Sequence, residues 1–508
     1  MSSRNFNLYS HYQKQFSAQA DKELLRDEMD RSYLYSDIDR ESARLANHLS
    51  RLGVTAGERI SVQIEKSPEA LCLYLACLRG GFVFHPLNTA FQAGELEYFL
   101  GDAEPAVVIC DPAREQPLRA LAAAAGTRHI LTLDVNGRGT LVEQSRDTAE
   151  DFPTLARDKD DLAALLYSSG TTGVPKGITL THGNLLSNTQ ALVHAWEFTE
   201  KDRLLHALPI FHVHGLFVAI GCVLLGGASM RWLTTFNAAQ VIEFLPECTV
   251  MMGVPTYYTR LLARDDFGAD HCKNVRVFIS GSAPLLEETF ASFEARTGHR
   301  ILERYGMTET NMNTSNPLNG QRKPGTVGPP LPGVEARIVN GNGEVLPQND
   351  IGGLQVRGPN VFIGYWKMPD KTAQDFTEDG FFKTGDLGRM DEDGYVSIVG
   401  RSKDMVITGG LNVYPKEIEK VIDELSGVRE SAVIGVPHPD FGEAVVAVVV
   451  SRENVTLDEE AVIRATKECF ANYKIPKRVV FIDELPRNAM GKVQKSSLRE
   501  TCNDLFET

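Results

Sequence analysis

The sequence predicts an α/β protein with a large N-terminal domain of α/β sheets plus a β-rich subdomain, followed by a small C-terminal α/β domain. Three observations carry this. The chain has 508 residues, too many for one hydrophobic core. Helix-period segments and short apolar runs alternate through its first two-thirds, which points to a mainly parallel sheet. Beyond about residue 325 the texture changes to short β-runs split by Gly and Asn turns.

The elements follow in order. Ile38, Leu45, Leu49 and Leu52 recur at helical spacing, with Gly53 as a stop. RISVQIE (59–65) reads as a strand. Ser67-Pro68-Glu69 then opens a helix through ALCLYLACLRGG, with Ser67 as cap and Pro68 in the first turn. AVVICD (106–111) is a short buried strand. Residues 215–230 carry no charge, but glycines break the run and it falls short of the ~20 residues of a membrane span. A buried helix is expected there. ARIVNGNGEVLP, GGLQVRG and GYVSIVG supply the strands of the β-rich subdomain. GRSKD then interrupts the apolar pattern, so a boundary is placed at 400/401. Residues 1–400 form the N-terminal domain. Residues 401–508 form the C-terminal one from EIEKVIDEL, SAVIGVP, EAVVAVVV and a last helix.

Composition narrows the function. With 43% hydrophobic and 23% charged residues and no low-complexity run, the chain is an ordinary globular protein. Its formal net charge of −15 argues against a nucleic-acid or anionic-membrane surface. An anionic substrate must then be gripped by a local cluster of basic residues. The eight cysteines are scattered, and Cys72 and Cys77 fall within an apolar helical pattern, so core packing is expected rather than a disulfide or metal. MSSRNFNLYSHYQKQF at the N-terminus lacks the apolar region of a secretory signal. A cytoplasmic location without membrane insertion is expected.

The chemistry starts at YSSGTTGVPKG (167–177). Gly170 and Lys176 suggest a P-loop, but Pro175 stands where the second glycine belongs and Gly177 where Ser or Thr would hold magnesium. The segment still offers hydroxyls from Ser168, Ser169, Thr171 and Thr172, free backbone N–H groups at Gly170 and Gly173, and the charge of Lys176. YGMTE (305–309), TGD (384–386), GRSKDMVITGG (400–410) and PRNAMGKVQK (486–495) follow it.

Together these five motifs resemble the adenylate-forming superfamily of acyl-CoA synthetases, firefly luciferase and peptide-synthetase adenylation domains. The resemblance covers nearly the whole chain. It implies activation of a carboxylate by ATP with Mg2+, and a mobile C-terminal lid that carries the catalytic lysine. By position, Ser168, Ser169, Gly170, Thr171, Thr172, Gly173 and Lys176 would wrap the β- and γ-phosphates. Ser282, Ala283, Glu303, Tyr305, Gly306 and Thr308 would line the nucleotide, with Tyr305 on adenine and Thr308 on phosphate. Thr172 and Glu309 would hold the metal ion, and Asp386 and Arg401 the ribose hydroxyls. Lys492 would offset the charge that builds when two anions are brought together, with His212 and Glu309 as the other catalytic groups. Lys403 matches the hinge, and Gly409 and Gly410 would let the pantetheine arm of CoA pass. Neutralising acylation of Lys492 by a modifying enzyme would remove its charge.

LPIFHVHG (208–215) matches the family's aromatic-His-x-x-Gly segment and places His212 at the acyl pocket. His206 and His214 lie near, but the carboxylate or cysteine partners of a metal site do not follow. A fatty or aromatic acid calls for an apolar pocket, because a buried unpaired cation is costly. Arg260 and Arg304 break that expectation and suit a second carboxylate. Each could instead pair with a neighbouring acid such as Glu303 or Asp265. With SGSAPL (280–285) and ERYGMTETNMNTSNP (303–317), they resemble malonyl-CoA synthetases. That resemblance implies malonate, or methylmalonate, joined to CoA, with Arg260, Arg304, His212, Ser280 and Met307 at the acid. A ligase for a monocarboxylic acid and a free-standing module that loads a carrier protein stay open.

Overall fold

The computed structural model describes residues 5–168, 175–408, 411–452, 455, 457–470, 472–488 and 491–506. Two mainly parallel sheets form the body of the molecule. In the six-stranded one the spatial order is His129–Thr132, Val107–Cys110, Arg59–Gln63, Val83–Pro86, Leu162–Ser168 and Lys176–Thr181, and only the last pair is antiparallel. The eight-stranded one runs Asn311–Ser315, Leu302–Met307, Val277–Ser280, Val250–Gly253, Arg203–His206, Ser229–Trp232, Glu23–Asp27 and Ser32–Leu34. Its two outermost pairs are antiparallel. Parallel strands buried on both faces need helical crossovers. Pro255–Leu262 and Glu287–Thr297 provide two of them.

Local signals behave as the chemistry requires. The helix Tyr35–Arg51 ends before Gly53, whose φ of 78° only glycine adopts freely. Ser67 caps Pro68–Gly80 by accepting the Ala70 N–H at 3.1 Å. Cys72 and Cys77 are buried in that helix and unpaired, and Cys469 alone of the eight cysteines is exposed. The expected buried helix over 215–230 is shorter than the uncharged run. A π-helical turn, His214–Ala219, leads into an α-helix, Ile220–Gly226. At Gly227 the backbone turns left-handed, and residues Ser229–Trp232 continue as a strand. Among the described residues no helix is long and apolar enough to cross a membrane.

The β-rich region is a four-stranded antiparallel sheet, Glu335–Val339, Gly352–Arg357, Phe382–Met390 and Val396–Arg401. The long strand through TGD carries too much polar character to stand out by pattern alone. A last, five-stranded sheet lies beyond it. Gly442–Ser451 pairs there with Val428–His438 and Val406–Thr408, and in parallel with Arg478–Phe481, a strand over the apolar run that starts at Val479. Lys420 and Arg452 of this unit pair with Glu287 at 2.8 Å and Glu288 at 2.9 Å, in the first turn of Glu287–Thr297.

Candidate active site

Strand ends place the groups. His206, Gly253 and Ser280 close three neighbouring parallel strands, and Arg304 and Tyr305 sit near the end of a fourth. The carboxyl edge of such a sheet is where open α/β folds bind ligands.

Strands flank the Ser/Gly/Thr-rich segment on both sides, which distinguishes it from a P-loop. Leu162–Ser168 and Lys176–Thr181 pair antiparallel, with Ser168 opposite Lys176. A P-loop feeds a helix, whereas this one returns as a strand. Pro175 presents its carbonyl to the Tyr98 hydroxyl at 2.7 Å. Gly177 lies so close to Trp366 that a Cβ would meet the Trp366 Cβ at 2.9 Å, and its carbonyl accepts the Trp366 N–H at 2.7 Å. On the other arm Tyr167 donates to Asp102 at 2.6 Å. The Lys176 ammonium stands 4.8 Å over the Tyr365 ring and 4.0 Å from Asp375. Burial, and after it Lys371, lowers its pKa. Ser169, Gly170, Thr171, Thr172, Gly173, Gly409 and Gly410 lie outside the described residues.

Asp386 faces Arg401 across the antiparallel pair of strands. The Arg401 Nε lies 2.7 Å from the buried Asp386 carboxylate, which also accepts the Tyr305 hydroxyl. Burial works against the Arg401 charge, but Asp386, Tyr305 and Glu309 hold its pKa above the usual value. Gly306 admits no side chain, since a Cβ would strike the Asn311 carbonyl at 1.9 Å. Met307 and Thr308 follow it, half-buried. Burial raises the Glu309 carboxyl, although Arg401, Lys492 and Lys176 all favour its charged form. Glu303 turns away from this group toward backbone. Burial lifts its pKa to about 8 against hydrogen bonds from Leu285 and Gly325.

Arg304 is 3% exposed, and its Nε and Nη2 have no hydrogen-bond partner among the described residues. Gly281 makes its position possible, because a Cβ there would lie 2.4 Å from the guanidinium carbon. The Ser280 hydroxyl is buried and unpartnered too. Glu303, the neighbour that could have neutralised Arg304, forms no ion pair with it. His212 is half-buried beside these groups. Burial, then the charges of Lys492 and Arg304, push its pKa down to about 3, so the ring is neutral. Both ring nitrogens of His206 are engaged, Nδ1 with the buried Lys66 ammonium at 2.7 Å and Nε2 with the Gly215 carbonyl at 3.0 Å. Arg260 differs from Arg304: it stands exposed in the last turn of Pro255–Leu262, without an ion pair among the described residues. Ser282 and Ala283 are half-buried on the loop between the two arginines.

Lys492 reaches in from the C-terminal unit. The residue is exposed to solvent. Desolvation by the protein around its head group, and then Arg401, lowers its pKa, while Asp386 and Glu309 raise it. Gly491 beside it lies against Thr256, and Asn488 accepts the Lys492 N–H at 3.0 Å. Lys403 is exposed in the 3-10 turn Ser402–Asp404. Sequence reasoning missed Tyr98, Asp102 and Trp366, which hold the two flanking strands.

These strand ends and loops bring the Asp386–Arg401 pair, the buried Glu309 carboxyl, the unmatched Arg304 guanidinium and Lys492 within electrostatic reach of one another. Two family models match, "AMP-binding enzyme" over residues 12–366 and "AMP-binding enzyme C-terminal domain" over 417–492. The chain belongs to the AMP-binding enzymes. It is 37% identical over 483 residues to the malonate–CoA ligase of Arabidopsis thaliana, covering 88% of this chain and 79% of that one. Its fold is that of ATP-bound MatB from Rhodopseudomonas palustris, with 51% identity, 99% of this chain and 100% of that chain covered, and a TM-score of 0.96. The apo form of that relative has the same identity and coverage but a TM-score of 0.85. The arrangement described here is thus nearer to the ATP-bound one.

Proposed function

We propose that this enzyme joins malonate to coenzyme A through a malonyl-adenylate, giving malonyl-CoA, AMP and pyrophosphate. One observation carries the reading: a guanidinium buried at the acyl end with two donors unmatched. Burying a cation without a partner is strongly unfavourable unless an anion arrives to meet it. A monocarboxylate spends its only charge on the α-phosphate. Malonate brings a second one.

Two displacements follow. A malonate oxygen attacks the α-phosphorus, and the bond to the bridging oxygen breaks to release pyrophosphate. The thiol sulfur of CoA then attacks the acyl carbon, losing its proton as the carbon–oxygen bond to AMP breaks. In the first step carboxylate and phosphate are both negative. Lys492, set among Glu309, Asp386, Arg401 and Arg304, is the charge that lowers this repulsion. Neutral His212 packs at the acid without adding a further charge. Arg401 and Asp386 are assigned to the ribose and Tyr305 to adenine. Lys176 and the hairpin hold the departing phosphates. The Glu309 carboxylate, a hard oxygen donor facing three cations, fits Mg2+, which when bound would offset phosphate charge. Thr172 is the second ligand we assign. We place the lid at residues 401–508, hinged at Lys403, and take acylation of Lys492 to silence adenylation.

Arg260 is exposed in this arrangement, so Arg304 holds the distal carboxylate here and Arg260 is assigned to the pocket's mouth. Methylmalonate is a second substrate on this reading, since one methyl changes discrimination by only about 1–3 kcal/mol. Pyrophosphate release measured with malonate, methylmalonate, acetate, butyrate and benzoate, and thioester formation on free CoA, test the proposal. Strong turnover of butyrate with none of malonate would overturn it.

A further inference from the structure

A second side chain at the acyl end is buried with a donor unmatched. His214 is 1% exposed. Its Nδ1 lies 3.2 Å from the Ser282 hydroxyl, and its Nε2 has no hydrogen-bond partner among the described residues. It opens the π-helical turn His214–Ala219, and its backbone N–H lies 3.4 Å from the His212 Nδ1. π-Helical turns of this kind recur at functional sites. Ser282 is held in a left-handed backbone conformation, φ 73°, that a serine seldom adopts. Such strain persists where the surroundings over-determine it, commonly at ligand clamps.

The Ser282 hydroxyl can donate to Nδ1 or accept from it, and the inference takes the first arrangement. Burial, then the charges of Arg304, His212 and His206, hold the His214 ring neutral, so it carries one N–H. When the Ser282 hydroxyl donates to Nδ1, that proton resides on Nε2. Arg304, whose charge acts on this ring, has Nε and Nη2 unmatched as well, and the two side chains do not bond one another. Both groups are then donors in want of one acceptor, and an anionic oxygen supplies it. With the proton on Nε2, a bound anionic oxygen would satisfy a donor that is otherwise buried without a partner.

We propose that His214, oriented by Ser282, donates its Nε2–H to the distal carboxylate of the dicarboxylate substrate beside Arg304, and so helps to set specificity for a diacid. The inference rests on the dicarboxylate reading above. It adds a residue at an x position of the aromatic-His-x-x-Gly pattern, the second histidine of FHVHG.

The test compares malonate with isovalerate, in which an isopropyl group replaces the distal carboxylate at nearly the same shape. In H214A the malonate KM rises about 10- to 100-fold, as expected for losing a hydrogen bond to a charged group. The ATP KM and the isovalerate kcat/KM stay within about twofold. H214Q, whose amide N–H reaches the Nε2 position, recovers most of the malonate KM, and S282A shifts it in the direction of H214A. Equal losses for malonate and isovalerate, a matching rise in the ATP KM, or H214Q no better than H214A would each overturn the proposal. Should thermal melts show that H214A does not fold, H214Q is compared with H214N, whose amide sits at the Nδ1 position; equal malonate KM values for those two would overturn it. Wild-type enzyme that turns over isovalerate but not malonate would sink the dicarboxylate reading first, and this inference with it.

Discussion

The two ends of the proposed site solve charge in opposite ways. At the end assigned to the nucleotide Arg401 is already paired with Asp386, and Tyr305 donates to the same carboxylate. At the end assigned to the acid Arg304 is buried with unmatched donors, next to an unmatched Ser280 hydroxyl and a neutral His212. A paired site binds by exchanging partners, so it tolerates being empty. An unpaired one is unstable until its anion arrives, and that asymmetry gives selectivity. A ligand that lacks the second charge leaves the guanidinium uncompensated, which is a stronger penalty than a poor fit.

The largest expected effect tests what joins the two ends. Lys492→Ala removes the one cation that both ends share, and malonate-dependent ATP–pyrophosphate exchange should fall about a hundredfold to a thousandfold. Thioester formation from presynthesised malonyl-adenylate should persist, because that step no longer opposes two anions. Unchanged exchange would remove Lys492 from the first step. Arg304→Met comes next and separates function from stability. The malonate kcat/KM should drop roughly a hundredfold, while the thermal midpoint should rise. Replacing an uncompensated buried charge by an apolar side chain of similar volume is neutral or stabilising by about 1–4 kcal/mol. A midpoint that falls together with activity would mean that Arg304 has a structural partner, and the contrast between the two ends would collapse.

Much of this was legible beforehand, for identifiable reasons. The phosphate segment, TGD and the lysine motif each concentrate unusual residue types within a few positions, so local sequence was sufficient to find them. The parallel sheets followed from alternation, and the Ser67 cap from its neighbours. What stayed hidden depends on contacts between distant positions. Nothing local to Pro175 announces the Tyr98 hydroxyl, 77 residues away, and nothing local to Gly177 announces Trp366. Arg260 and Arg304 looked equivalent as sequence, yet one ends a surface helix and the other sits in a strand under Gly281. His214 was passed over because an orphaned nitrogen is visible only once its surroundings are counted.

A smaller effect sharpens the paired end. Asp386→Asn keeps the shape but removes the charge opposite Arg401. The ATP KM should rise about tenfold, as for loss of a charge-assisted hydrogen bond, with the malonate KM moving far less. Equal movement of both would mean that the two ends do not act separately.

The smallest effect concerns Glu303, the acid that might have neutralised Arg304 and does not. Its carboxyl is buried and its pKa lies at about 8, with burial the main cause and Glu287 adding to it, while the Leu285 and Gly325 N–H groups and Lys416 oppose the shift. A carboxyl whose folded pKa exceeds its unfolded value binds more protons when folded, so stability falls as pH rises between the two values. The window therefore runs from about 4.3, the ordinary glutamate pKa, to about 8. Glu303→Gln imitates the protonated form and keeps an acceptor for the two N–H groups. Thermal midpoints should match wild type at pH 5 and exceed it by a few degrees at pH 9, the direction expected when a buried charge is no longer forced on the fold. A variant less stable than wild type at pH 9 would mean that Glu303 is ionised and compensated. It would then be the partner of a nearby cation after all, and the unpaired state of Arg304 would need another explanation.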